Sequence, residues 1–241
     1  SIGSELVRQI AGAGPRRLRR LALAESPSLD PGAQQPVFDL LEAQLDALHY
    51  RVRRLPGRRT GGVLFARPLA RWQAAPLQLL LGHSDTVWPH GTLAAMPVTR
   101  DGNRLAGPGV FDMKGGLVIG LYALQALAAL RLRPALTPLL LVNSDEEIGS
   151  PESTRHVRRL AQAVQRVFVL EPGFGPQGHL KTARKGVLRF DVAVQGKSAH
   201  AGLAPQEGVS AILELSHVIQ QLFALNDWPG GVSVNVGQVG G

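Results

Sequence analysis

Leu77-Gln78-Leu79-Leu80-Leu81-Gly82-His83-Ser84-Asp85-Thr86-Val87 is the stretch on which the fold turns. Its first residues are nearly all apolar, the composition of a strand covered on both faces, as in a parallel sheet flanked by helices. The apolar run stops at Gly82 and gives way to His83 and Asp85. In a strand that persists to Asp85, residues two apart project from the same face. His83 and Asp85 then point together, one as a metal ligand and the other as the partner that fixes the imidazole tautomer. A His-x-Asp triplet carries little information alone, so its meaning depends on what else the chain delivers nearby.

Two more apolar runs end in the same way. Residues 136–143 lead into Ser144-Asp145-Glu146-Glu147-Ile148-Gly149-Ser150, and residues 167–170 lead into Glu171-Pro172-Gly173. Buried strands thus deliver histidine or carboxylate groups at their carboxyl ends, the edge where open α/β sheets form sites. Between the first two runs lies Gly107-Pro108-Gly109-Val110-Phe111-Asp112-Met113-Lys114-Gly115-Gly116, which sets one carboxylate among four glycines and a proline. An alanine- and leucine-rich run follows over residues 117–130, so the segment reads as an irregular loop opening into a buried helix. Taken alone, Asp112 reads as a helix N-cap. Taken with the strand ends, it reads as part of a metal site.

Working outward, residues 1–30 are rich in Ala, Leu and Arg and read as helical, closing in the turn cluster Ser26-Pro27-Ser28-Leu29-Asp30-Pro31-Gly32. Val37, Leu40, Leu41, Leu45 and Leu48 recur at helical spacing. Residues 50–55 and 61–66 are short strand candidates, and residues 155–165 look helical. The character changes after Gly178. Residues 187–194 and 233–239 alternate, as strands with one wet face do, around the loop Gly196-Lys197-Ser198-Ala199-His200-Ala201-Gly202 and an amphipathic helix over 209–225. The expected fold class is α/β: a sandwich on a mainly parallel sheet over residues 1–183, then the start of a smaller α+β domain over 184–241. No internal repeat or low-complexity tract interrupts it.

Composition narrows the function. The 241 residues suit one to two domains at about 150 residues each, and 44% hydrophobic content supports a sizeable core. There is no cysteine, which excludes disulfides, thiolate catalysis and cysteine zinc sites. A metal must therefore be held by His, Asp and Glu. No apolar run reaches the roughly 18 residues of a membrane span, and Ser1-Ile2-Gly3-Ser4 shows neither an initiator Met nor a signal peptide. A cytoplasmic protein without a membrane partner is expected. The charge is 26 − 18 = +8, gathered in pairs such as Arg16-Arg17, Arg53-Arg54 and Arg158-Arg159. Aromatics make up only 5% and none interleave with those pairs as a base-stacking platform requires. The pairs read as solvated faces, and no nucleic-acid partner is expected.

Gly82-His83-Ser84-Asp85-Thr86-Val87, the Gly107–Gly116 loop, Asp145-Glu146-Glu147-Ile148-Gly149-Ser150, Glu171-Pro172 and Ser198-Ala199-His200-Ala201-Gly202 occur in the order of a known family. The chain resembles the two-zinc exopeptidases and deacylases, which include bacterial glutamate carboxypeptidase, acetylornithine deacetylase and succinyl-diaminopimelate desuccinylase. The likeness runs from Leu77 to the end. The wording around His83, Asp112 and His200 is nearest to the glutamate carboxypeptidases, with the acetylornithine deacetylases second.

The resemblance implies a three-layer α/β/α catalytic domain and a ferredoxin-like lid that forms a homodimer, both incomplete here. It implies two Zn2+ ions, with Co2+ or Mn2+ as substitutes. His83 and Glu171 would hold one ion, Glu147 the other, and Asp112 would bridge them, followed by a cis peptide. Asp85 would orient His83, and Glu146 would be general acid and base toward a zinc-bridging water. His200 of the lid would reach the partner subunit's site and steady the oxyanion. The family's final histidine ligand and its carboxylate-binding arginine lie beyond the point matching Gly241, so a fragment of a longer enzyme is expected, poorly active alone. His49, His90, His156, His179 and His217 match no family motif. The implied activity is hydrolysis of the amide bond in N-acyl or peptidyl amino acids with a free C-terminal carboxylate. An acetylornithine deacetylase-like or desuccinylase-like activity is the nearest alternative. A non-catalytic metal-binding or basic nucleic-acid-binding domain is the alternative of another class.

Overall fold

A computed structural model describes residues 2–70, 76–175 and 177–240; Ser1 and Gly241, the termini named above, lie outside them. The chain divides into two compact units, 1–179 and 180–241.

The first unit opens with helix α1 (Ile2–Leu23) and helix α2 (Pro31–Ala47). The helix expected from the spacing of Val37 to Leu48 begins earlier, because the Asp-Pro-Gly of the turn cluster is itself the helix start. The Asp30 carboxylate accepts a hydrogen bond from the Ala33 N–H at 3.0 Å, and Pro31 occupies the first turn, where its missing N–H costs nothing. Strands β1 (Tyr50–Leu55), β2 (Val63–Pro68) and β3 (Leu77–His83) follow. After β3 come a one-turn helix α3 (Thr92–Ala95) and a hairpin of β4 (Thr99–Asp101) and β5 (Arg104–Ala106). The sequence reading missed this hairpin, although Asp101-Gly102-Asn103 at its turn is a hairpin signal. Helix α4 (Gly115–Ala129), strand β6 (Thr137–Asn143), helix α5 (Thr154–Ala161) and strand β7 (Arg166–Val169) complete the unit.

The sheet order is β1-β2-β6-β3-β7. β6, β3 and β7 are parallel neighbours, as the three apolar runs predict. The sheet as a whole is mixed rather than mainly parallel, since β1 pairs antiparallel with β2 and β2 antiparallel with β6. The cause is the short connection between β1 and β2, which can only turn the chain back as a hairpin; a parallel return needs a crossover of a dozen residues or more.

Strand alternation sorts the core into layers. Leu140 and Val142 of β6 face Phe38, Leu41 and Leu45 of α2 and Leu117 and Leu121 of α4. Leu139 and Leu141 face the other way, with Val63 and Leu79, toward Val157 and Leu160 of α5. Helices therefore cover both faces, which explains why every residue of β6 is buried and why its sequence does not alternate. Val110–Ala129 is long and apolar enough to cross a membrane by length and composition. Half of it is buried in this core, and it contains Asp112 and the buried Lys114, so it is the central helix of the sandwich with its entry turn.

The second unit contains helix α6 (Ala211–Ala224), capped by the Ser210 hydroxyl accepting from the Leu213 N–H at 3.1 Å. The strands expected at 187–194 and 233–239 are absent: among the described residues this unit has only the isolated bridges Lys197–Val209 and Asp227–Val232. An alternating sequence becomes a strand only when a neighbouring strand satisfies its N–H and C=O groups. Among the described residues neither segment pairs with another strand, and Val234 instead exchanges both its backbone hydrogen bonds with the Asn226 side chain, at 2.8 and 3.2 Å.

Candidate metal centre

Three parallel strands bring their carboxyl ends to one edge. His83 pairs in register with Asn143, and Leu81 with Val169. The Asp145-Glu146-Glu147 turn starts two residues past Asn143, and Glu171 lies two past Val169, as His83 lies two past Leu81. The loop before α4 supplies Asp112. Two glycines permit this approach. A Cβ on Gly116 would lie 1.7 Å from the Leu170 carbonyl oxygen, so the first turn of α4 sits directly on the backbone that ends in Glu171. Gly109 adopts φ +66°, a left-handed conformation suited to glycine, and a Cβ there would lie 2.6 Å from Thr86 Cγ2. The Asp112–Met113 peptide is cis, as the resemblance implies.

His83 is 1% exposed and its two ring nitrogens have different surroundings. Nδ1 lies 3.0 Å from the Asp85 carbonyl oxygen and 3.3 Å from Asp85 Oδ1. Nε2 faces Asp112 Oδ1 at 3.2 Å, Glu171 Oε1 at 3.4 Å and Glu146 Oε2 at 3.9 Å. The Asp85 carboxylate, also buried, accepts from the Ser28 hydroxyl at 2.7 Å and from the Glu146 and Glu147 N–H groups at 3.2 and 3.1 Å. Asp85 therefore holds the imidazole on one side and the acidic turn on the other.

Ligand atoms of His83, Asp112 and Glu147 lie within 4.8 Å of one another, as do those of His83, Glu146 and Glu171. Atoms sharing an ion at bonds of about 2 Å lie within about 4 Å of each other, so only small adjustments separate these trios from coordination. Both trios use the one outward nitrogen of His83, which makes the five residues a single connected cluster rather than two closed sites. Glu146, expected as general acid and base rather than named as a ligand, stands inside it. His200 belongs to the second unit, where its Nδ1 accepts from the Gly202 N–H at 3.1 Å. His90 bonds Asp30 at 2.8 Å. Among the described residues, none of His49, His90, His156, His179 and His217 joins a candidate ligand group.

The electrostatics show what the cluster lacks. Burial, and then the neighbouring Glu171 carboxylate, raises the pKa of Asp112. Burial chiefly raises Glu146, and it pushes Glu147 up to about 7, with the surrounding carboxylates adding to both. Burial opposes a charge on His83, yet Asp85 and Glu171 outweigh it and push its pKa up to about 11. Crowded carboxylates that resist ionisation, around an imidazole that holds its proton, form a site short of positive charge. Oxygen donors with one imidazole, its far nitrogen already engaged by a carboxylate, suit a divalent cation such as Zn2+, Mn2+ or Co2+. The residues present fit the implied metal.

Sequence reasoning gave no role to three contributors. Asp145 is a structural member of the acidic triplet: it is fully buried and accepts from the Glu152 and Ser153 N–H groups and the Asn143 side chain, which fixes the entry to α5. Lys114 is buried, donates to the Ala24 carbonyl at 2.8 Å and has its pKa pulled down by burial to about 8, against the pull of Asp85 and Glu25. Ser28 sits in a stretch that reads only as a turn. Lys114 alone had a signal, being a charge placed next to an apolar helix.

Peptidase family M20/M25/M40 matches residues 79–226, more than half of the sequence, and the chain belongs to this family. It is 29% identical over 215 residues to carboxypeptidase G2 of Pseudomonas sp., with 88% of this chain and 51% of that protein covered. It is 30% identical over 230 residues to succinyl-diaminopimelate desuccinylase 2 of Shewanella loihica, with 86% and 58% covered. The chain thus spans about half the length of these relatives. Among solved structures, a tripeptidase from Staphylococcus aureus matches with TM-score 0.62 at 17% identity, covering 88% of this chain and 56% of that one. The dipeptidase Dug1p from Saccharomyces cerevisiae matches with TM-score 0.61 at 17% identity, covering 92% and 52%. At such identities these structures speak for the fold.

Proposed function

We propose that the protein is a metal-dependent amide hydrolase acting on N-acyl or peptidyl amino acids with a free C-terminal carboxylate. One observation carries the reading: His83 presents Nε2 to Asp112, Glu146 and Glu171 at the carboxyl edge of three neighbouring strands. His83, Asp112, Glu147 and Glu171 would hold two divalent cations, Zn2+ in the first instance. Such a pair polarises an amide carbonyl and lowers the pKa of water. Glu146 is the general acid and base. Its carboxylate is about half exposed and its pKa is raised, chiefly by burial, which brings it nearer the value at which a base takes a proton from water and returns it to a leaving amine. Asp85 keeps Nε2 of His83 turned to the metal. Residues 184–241 would form the first part of a lid that joins two copies and brings His200 to the partner's site.

Glu171-Pro172 points to the carboxypeptidase and deacylase side, since the resembling family uses glutamate there for substrates with a free carboxylate and aspartate in aminopeptidases. The names carboxypeptidase G2 and succinyl-diaminopimelate desuccinylase among the relatives agree. The test is a paired assay of the complete enzyme on an N-acylated amino acid and on its C-terminal amide, with metal content measured by elemental analysis. The expected result is hydrolysis of the acid alone with two ions bound. Equal rates, or preference for a free N-terminus, would move the protein to the aminopeptidase side; absence of metal would support the non-catalytic reading.

A further inference from the structure

We infer that Ser28, in the connection between α1 and α2, is a positioning residue for the metal centre. It holds the Asp85 carboxylate in the one orientation that serves both His83 and the Glu146-Glu147 turn. The inference rests on the metal reading proposed above, and it concerns a segment outside residues 79–226, where the family match lies.

Residues 26–28 run beside the end of β3 as an added backbone strap. Pro27 forms a parallel bridge with Thr86, and the Thr86 N–H donates to the Ser26 carbonyl at 2.9 Å. The Ser26 hydroxyl donates to the Ser84 carbonyl at 2.7 Å. Gln34 of α2 locks the strap: its amide nitrogen donates to the Ser26 and Pro27 carbonyls at 3.0 Å each, and its amide oxygen accepts from the Ser84 hydroxyl at 2.7 Å. Ser26, Gln34 and Ser84 are fully buried. A network satisfied at every member is rigid, so the Ser28 hydroxyl arrives already placed.

Its acceptor is Asp85 Oδ2, at 2.7 Å, the length of a hydroxyl bond to a charged oxygen. The geometry of the carboxylate explains why that bond matters. Oδ2 also accepts from the Glu147 N–H at 3.1 Å, while Oδ1 accepts from the Glu146 N–H at 3.2 Å and faces His83 Nδ1 at 3.3 Å. Those three contacts are long, and the bond from Ser28 is the shortest of the set. Without it the carboxylate is free to turn about its Cβ–Cγ bond, and a turn that shortens one of the long contacts lengthens another. The imidazole and the acidic turn would then lose their common reference point. Among the described residues, the Ser28 hydroxyl bonds Asp85 and no candidate metal ligand, so its effect must pass through Asp85.

The test is a cobalt(II) titration of the complete protein, followed by visible absorption, with urea unfolding run in parallel. Partners that orient metal-binding side chains are worth about 10–100-fold in affinity, so Ser28→Ala should bind cobalt about 10-fold more weakly. Ser28→Thr keeps the hydroxyl and should restore most of the affinity. Ser26→Ala removes an equally short, equally buried bond in the same strap, but one aimed at a backbone carbonyl; it should lower stability while leaving cobalt affinity within about 3-fold, well under the effect of an orienting partner. Should Ser28→Ala fail to fold, Ser28→Thr against Ser28→Val decides, because the two have the same volume and differ in the hydroxyl. Undiminished binding by Ser28→Ala, or equal weakening by Ser26→Ala, would overturn the inference and leave the metal reading standing. Failure of the wild-type protein to bind cobalt would overturn the metal reading, and this inference with it.

Discussion

Gly116→Ala tests how closely the metal centre depends on backbone packing. The new Cβ would sit 1.7 Å from the Leu170 carbonyl oxygen, where ordinary contact begins near 3.4 Å, so the two must separate by 3.4 − 1.7 = 1.7 Å. Neither side yields easily. The Leu170 N–H is bonded to the Leu81 carbonyl at 2.8 Å, and α4 is packed into the core through Leu117 and Leu121. The movement therefore falls on the segments that carry Asp112 and Glu171. Overpacking a tight site costs about 1–3 kcal/mol, and a contact with backbone belongs at the upper end. The alanine recovers at most about 1 kcal/mol in helix propensity, so a net loss of about 2 kcal/mol is expected from these two terms. Gly120→Ala is the internal control. Its Cβ would meet Leu170 Cδ1 at 2.8 Å, the tip of a side chain that can rotate away, so its propensity gain roughly cancels its crowding. Urea unfolding should place Gly116→Ala about 2 kcal/mol below wild type and Gly120→Ala within about 1 kcal/mol of it. Zinc affinity should fall for the first variant only. Equal midpoints for the two variants, or wild-type zinc binding by Gly116→Ala, would refute the reasoning.

Other expectations follow from the same geometry. Glu146→Gln in the complete enzyme should retain metal and lose about 10²–10⁴-fold in turnover, the usual worth of a placed acid–base group; stopped-assay rates at matched zinc content check this. Asp145→Ala leaves the Glu152 and Ser153 N–H groups without their acceptor, while the Asn143 amide keeps Ser150 and Ser153. It should cost about 2–3 kcal/mol in urea unfolding, given about 1–3 kcal/mol for each group left unsatisfied. In EDTA the protein should lose stability as pH rises to about 8, because groups with raised folded pKa values stabilise the fold only while protonated; above that, Lys114, lowered from 10.5 to about 8, works the other way. For Glu147 the loss falls between its ordinary value of 4.5 and about 7, and for His83 between 6.5 and about 11. A divalent cation held at the proposed site would displace those protons, so its stabilising effect should grow across the same range; melting temperatures from pH 6 to 9, with and without added zinc, give the comparison.

The parts of the fold that sequence made legible are those fixed by burial on two sides. β3 and β6 are apolar because helices cover both faces of the sheet; β7, expected to be buried from its apolar run, stands exposed at the sheet edge instead, and the polar ends of all three identify the site edge. Strand order was not legible, because β1 and β2 carry no mark of which neighbour they will find. The strands expected in the second unit show the limit of alternation as a signal: it reports a side chain's surroundings but supplies no hydrogen-bond partner. Within the candidate site, His83, Asp112, Glu146, Glu147 and Glu171 stood out, since charged and imidazole groups at the ends of apolar runs are out of place. Ser28 and Gln34 did not, because a serine in a turn and a glutamine in a helix look ordinary until a fold places them against Asp85 and Ser84, 57 and 50 residues away.

β7 closes the sheet at one side with Val167, Phe168 and Val169 all substantially exposed and, among the described residues, no strand beyond it. A short apolar strand with unpaired backbone groups is a template for another chain. Arg166, whose guanidinium lies 5.5 Å from the Phe168 ring centroid, supplies the single charge on that strand. Preparations of residues 1–241 will therefore be governed by colloidal behaviour as much as by folding: turbidity and light scattering should rise steeply with protein concentration, and introducing a second charge at Val169, the most exposed of the three, should delay that rise while the interior, and with it the melting temperature, stays as it was.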